Sequence, residues 1–97
     1  MAKKIKWSIR ARKERFEILK YWANRNKSKV YSAKLNQEFL DTIELVKKTP
    51  FIGIAVDKRN VRFIITGNYL IYYLISDAYI EIITIWDSRR NPQKFKL

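Results

Sequence analysis

The chain contains no cysteine and no histidine. Those absences remove disulfides, the usual thiol nucleophile, the two best zinc ligands and the side chain that most often moves protons near neutral pH. Any catalysis has to be built from other groups, and no metal or cofactor is expected. The chain has only two glycines, Gly53 and Gly67, which leaves no glycine-rich phosphate loop. No uninterrupted apolar run approaches the roughly 18 residues that a membrane-spanning helix needs. The start, Met1-Ala2-Lys3-Lys4-Ile5-Lys6-Trp7, sets no apolar stretch behind its charges, so a cytoplasmic protein is expected.

Acidic residues are scarce too. Nine of them face 21 lysines and arginines, a formal net charge of +12 on 97 residues. That charge repels itself and draws in polyanions, and it exceeds what solubility alone requires. Nucleic acid, a ribosome, an anionic membrane surface and an acidic protein would all satisfy it, so charge alone does not choose the partner. The length suits one domain, residues 1–97, near the lower limit for burying a core without staples.

What is present is a clear change of period along the chain. Ile5, Trp7 and Ile9 alternate with Lys6, Ser8 and Arg10, as in a strand with one dry face. From about Ala11 to Arg25 the spacing becomes helical, with Phe16, Leu19 and Trp22 or Ala23 recurring and Ile18 and Tyr21 beside them. Asn24 to Ser28 reads as a turn, and Ser28 as the N-cap of a second helix whose stripe is Leu35, Phe39, Ile43 and Val46. Thr49-Pro50 and Gly53 end it. Four runs rich in Ile, Val, Tyr and Phe follow, at Ile54 to Val56, Val61 to Thr66, Tyr69 to Ile75 and Tyr79 to Trp86. Gly67-Asn68 is a two-residue hairpin signal, because such turns need positive φ. The expected fold is a small α+β domain, β-α-α-β-β-β with a further strand, in which an antiparallel sheet packs against a helix pair.

Two short helices cover one face of a sheet. In the last two long runs both alternating sets are apolar, with Leu70, Tyr72 and Leu74 opposing Tyr69, Ile71, Tyr73 and Ile75, and Ile83 and Ile85 opposing Ile80, Ile82 and Trp86. The uncovered set, Leu70, Leu74, Ile83 and Ile85, is the expected partner-binding surface. Central strands covered by the tail or by a second copy would give the same pattern.

The clusters with chemical potential are basic: Lys58 and Arg59 in a loop, Arg62 on the next strand, and Arg89-Arg90 after the last. An arginine fork grips phosphate bidentately and stays charged, so several around a cleft could hold an RNA backbone or stabilise charge developing on phosphorus. Tyr72 and Tyr73 could stack on bases or assist proton transfer, although aromatic residues in strands more often pack. The acids Glu81 and Asp87 make poor general bases.

Pro50-Phe51-Ile52-Gly53 after the second helix, Val61-Arg62-Phe63 leading to Tyr69-Leu70-Ile71-Tyr72-Tyr73, and the ending Ile82-Ile83-Thr84-Ile85-Trp86-Asp87-Ser88-Arg89-Arg90-Asn91-Pro92 together resemble the RelE/ParE toxin superfamily, also called plasmid stabilization proteins. The resemblance spans nearly the whole chain. It implies the toxin of a type II toxin–antitoxin pair, neutralised by an acidic antitoxin that covers groove and sheet. RelE-like members cut mRNA on the ribosome, whereas ParE-like members poison DNA gyrase and are not nucleases. On the nuclease reading, the resemblance makes Arg62 the strand arginine, Arg89 and Arg90 the terminal basic pair, and Lys58 and Tyr72 further catalytic candidates. Arg59, Lys94 and Lys96 would contact RNA or the target. Where many nuclease members carry Tyr or His near the C-terminus, this chain has Phe95, which cannot transfer a proton. Outside the family, the same residues suit a non-catalytic RNA-binding or protein-binding module, or a decayed toxin.

Overall fold

The computed structural model describes residues 3–56 and 60–89. Strand β1 (Lys4–Trp7) leads to helices α1 (Ile9–Asn26) and α2 (Val30–Lys48), a 3-10 turn at Pro50–Ile52, and strands β2 (Ile54–Ala55), β3 (Val61–Thr66), β4 (Tyr69–Ile75) and β5 (Tyr79–Asp87). The helices lie on one face of a five-stranded sheet ordered β1-β5-β4-β3-β2. The β2 to β5 meander is antiparallel, but β1 runs parallel to β5, so the sheet is mixed rather than wholly antiparallel. The reason is connectivity: β1 and β5 are joined through the helix pair and the whole meander instead of a tight turn, and only a turn would force them to oppose.

Ser8 ends β1 and starts α1. Its hydroxyl accepts the Ala11 N–H at 2.9 Å as an N-cap and donates to the Ile83 carbonyl at 2.7 Å, so it ties the helix start to β5. Ile9, expected in the strand, is therefore the first helical residue. At the other end of α1, Lys27 takes a left-handed conformation with φ 50°, and its N–H reaches back to the last turn. Ser28 accepts the N–H of Val30, the first residue of α2, while Lys29 is the cap position.

On α2 the stripe Leu35, Phe39, Ile43 and Val46 is buried as its period predicts. Helix α1 corrects the sequence reading. Ala11, Ile18, Leu19 and Trp22 face the core, whereas Phe16 points away and is 66% exposed. Arg15 sits on the inner side, where it bonds Asn36 Oδ1 through Nε at 2.8 Å and Nη2 at 2.6 Å. Strand β4 alternates cleanly, with Tyr69, Ile71, Tyr73 and Ile75 buried and Leu70, Tyr72 and Leu74 half-buried on the outer face. The hairpin between β3 and β4 turns through Gly67 at φ 60°. Among the described residues no helix is long and apolar enough to cross a membrane.

Strand β5 carries a bulge. Tyr73 pairs with Ile82 and Tyr72 with Thr84, which leaves Ile83 as an extra residue. One extra residue reverses the parity of everything after it. Ile85, expected on the partner-binding face with Ile83, thus joins the core at 2% exposure, and Trp86 moves to the outer face opposite Leu70.

Candidate functional site

Arg62, Tyr72 and Arg89 are the catalytic candidates within the described residues; Lys58 and Arg90, with the target-binding candidates Arg59, Lys94 and Lys96, lie outside them. The fold does not bring the three together. Arg62 is the second residue of β3 and pairs across the sheet with Tyr73, on the helix side. Its Nη1 donates to the Gly53 carbonyl at 2.8 Å and more weakly to that of Phe51 at 3.3 Å, and the guanidinium lies 5.0 Å from the centre of the Phe51 ring. Through Nη1 and this ring contact the arginine clamps the turn before β2.

Tyr72 occupies the next β4 position and so projects from the opposite, outer face. Its ring leans on Phe63, with centroids 5.3 Å apart. Burial pushes its hydroxyl above the ordinary tyrosine range, which keeps it protonated near neutral pH and unable to act as a base there.

Arg89 follows β5 at the other end of the sheet. Asp87 pairs with Tyr69, four residues along β4 from the Arg62 partner Tyr73, a rise of about 13 Å. The Asp87 carboxylate accepts the Arg89 N–H at 2.9 Å, Nε at 3.0 Å and Nη2 at 2.8 Å. This carboxylate raises the Arg89 pKa above its ordinary value, so the group stays charged.

Arg89 does line a cleft of about 280 Å³ between α1 and the end of β5, together with Glu14, Glu17, Ile18, Tyr21, Tyr69, Ile85 and Asp87. The cleft exists because β1 stops opposite Ile82 and leaves the rest of that β5 edge to α1. Glu14 fills the missing strand's role: its Oε1 accepts the Ile85 N–H at 3.2 Å and the Thr84 hydroxyl, and its Oε2 pairs with Arg10 at 3.3 Å. On the floor, Tyr69 accepts Trp22 Nε1–H at 2.8 Å. Glu14, Glu17, Ile18 and Tyr21 were missed as a set, although their i, i+3, i+4, i+7 spacing places them on one helix face. Among the described residues no group of three or more carboxylates is placed to hold a metal ion.

The second candidate surface is the outer sheet face. Cross-strand rows run Ile54, Phe63, Tyr72 and then Ile65, Leu70, Trp86, with Val61 beside Leu74. Of the expected partner-binding residues, Leu70, Leu74 and Ile83 remain half-buried. Toward the β2 edge the face opens, with Ile54 58% and Ile65 61% exposed.

Comparison with known proteins adds two findings. Residues 5–92 match the family model described as the ParE toxin of the type II toxin–antitoxin system parDE. A solved structure titled chromosomal ParDE TA system from P. aeruginosa superposes with a TM-score of 0.74 at 13% identity, covering 89% of this chain and 96% of that one. No curated protein sequence matches the chain.

Proposed function

The chain belongs to the ParE toxin family of type II toxin–antitoxin systems, and from that premise we propose that it arrests growth by binding a protein, DNA gyrase, rather than by cutting RNA. The observation that carries this reading is the dispersal of the nuclease candidates. Arg62 is held by two backbone carbonyls, Tyr72 stands on the other face, and Arg89 is chelated by Asp87 at the far end of the sheet. A phosphoryl-transfer site needs its cations and proton-transfer groups around one reacting phosphorus, and with no histidine in the chain a proton shuttle would also have to be found elsewhere.

The toxin acts in the cytoplasm and is neutralised by an acidic antitoxin that covers the outer sheet face at Leu70, Leu74 and Ile83. Apolar burial there supplies contact area, and the +12 charge supplies long-range attraction. The test is induction without antitoxin. Growth arrest with trapped gyrase–DNA cleavage complexes and intact mRNA is expected. Primer extension that finds cuts within codons of translated mRNA would instead establish the ribosome-dependent ribonuclease, built on Lys58, Arg59, Arg90, Lys94 or Lys96.

A further inference from the structure

Helix α1 carries a stripe that the fold leaves bare. Ile9, Lys13, Phe16 and Lys20 recur at i, i+4, i+7 and i+11, a line along one side of the helix, and Arg12 flanks it. This line lies opposite the core-facing Ala11, Ile18 and Trp22. Ile9 is 87% exposed, Phe16 66%, and the three cations are exposed as well. Helix α1 as a whole carries six basic residues against two acids, Glu14 and Glu17. The basic residues Arg10 and Arg15 are engaged within the fold, by Glu14 and Asn36.

Building on the gyrase reading, we propose that this stripe is the toxin's grip on its protein target, and that it takes an acidic surface bearing apolar positions two helical turns apart. Ile9 and Phe16 are separated by about 10.5 Å along the axis. They offer two apolar anchors, and Arg12, Lys13 and Lys20 form the polar surround that excludes water and steers encounter.

Charge and area argue against other occupants. Two copies of this chain would set Arg12, Lys13 and Lys20 against their own duplicates. Nucleic acid would satisfy the cations, but Ile9 and Phe16 would gain nothing against phosphate, and base edges call for Asn, Gln or Arg at such protruding positions. A bilayer surface needs a broad apolar helix face, not two residues. The stripe also faces away from the sheet, so the antitoxin surface at Leu70, Leu74 and Ile83 lies on the other side of the molecule.

Three proteins test this: wild type, the apolar pair Ile9→Ala/Phe16→Ala, and the reversal Arg12→Glu/Lys13→Glu/Lys20→Glu. Each is measured for thermal stability, binding to its antitoxin, binding to purified gyrase across a salt series, and growth arrest. Folding and antitoxin affinity should stay within twofold of wild type. The apolar pair should lose tenfold or more in gyrase affinity at every salt concentration. The reversal should lose at least as much at low salt, and the loss should shrink as salt rises. Gyrase binding and growth arrest unchanged in both variants overturn the proposal. Gyrase binding that persists while binding to a duplex DNA oligonucleotide, or to vesicles of phosphatidylcholine and phosphatidylglycerol, is lost overturns it too, in favour of those surfaces. If wild type arrests growth without binding gyrase, the gyrase reading fails by itself. The stripe then stands if both variants lose arrest and falls if they keep it.

Discussion

The Tyr73 hydroxyl accepts the Gly53 N–H at 2.9 Å and sits where a Cβ on Gly53 would come within 2.5 Å of it. The same hydroxyl donates to the Pro50 carbonyl at 2.7 Å, so one buried phenol closes the turn that Arg62 clamps from outside. Gly53→Ala should therefore lower stability by about 2 kcal/mol or more, since the added carbon also meets the Phe63 carbonyl at 2.8 Å and backbone cannot yield cheaply. Tyr73→Phe should cost about 1–3 kcal/mol by leaving the Gly53 N–H unpaired. Chemical denaturation of both variants checks this, and a loss under 0.5 kcal/mol in each would contradict the lock.

Alkaline pH should undo the same region. Burial raises the pKa of Tyr73 above the ordinary 10.0, with the Gly53 hydrogen bond and Arg62 pulling partly back, and burial does the same to Tyr69 and Tyr72. A raised folded-state pKa makes the neutral form's contribution fully present below pH 10 and lost as pH climbs through the folded values. Stability should fall steeply above pH 10, and tyrosinate absorbance should lag behind that of free tyrosine until the chain unfolds. Tyrosines titrating together near the ordinary value in a still-folded protein would refute this.

Ile85 and Leu70 should separate stability from partner binding. Ile85→Ala removes a core side chain and should cost about 2–5 kcal/mol. Leu70→Ala, on the half-buried outer face, should cost markedly less stability yet weaken the antitoxin complex by tenfold or more. Denaturation curves and titration with the antitoxin give both readings, and the reverse ranking would mean that the bulge at Ile83 is misassigned.

Lys27 holds positive φ without being glycine. Left-handed backbone costs a side-chain-bearing residue roughly 1–2 kcal/mol, part of which glycine returns as unfolded-state entropy. Lys27→Gly should gain about 0.5 kcal/mol, read as a rise in Tm.

Glu14→Ala should destabilise by about 1–3 kcal/mol, because the Ile85 N–H and the fully buried Thr84 hydroxyl both lose their acceptor. Glu14→Gln keeps an acceptor oxygen and should recover most of that loss. Equal losses in the two variants would show that charge, not hydrogen bonding, is what Glu14 supplies to the β5 edge.

The order of elements, the inner stripe of α2, the Gly67-Asn68 turn and the two-sided apolar character of β4 were legible from the chain, because each depends on period or turn chemistry within a few residues. The family could be read from motif order. Three other features depended on contacts between residues far apart in the chain. The bulge at Ile83 moved Ile85 into the core, and no local pattern marks an inserted residue. Parallel pairing of β1 with β5 left an edge that Glu14, about 70 positions distant in sequence, came to satisfy. Phe16 has the same hydrophobic character as the core residues near it on α1, and only the docking of that helix against the sheet turned it outward. Sheet pairing scattered Arg62, Tyr72 and Arg89, because strand order and side-chain alternation decide which end and which face each residue occupies.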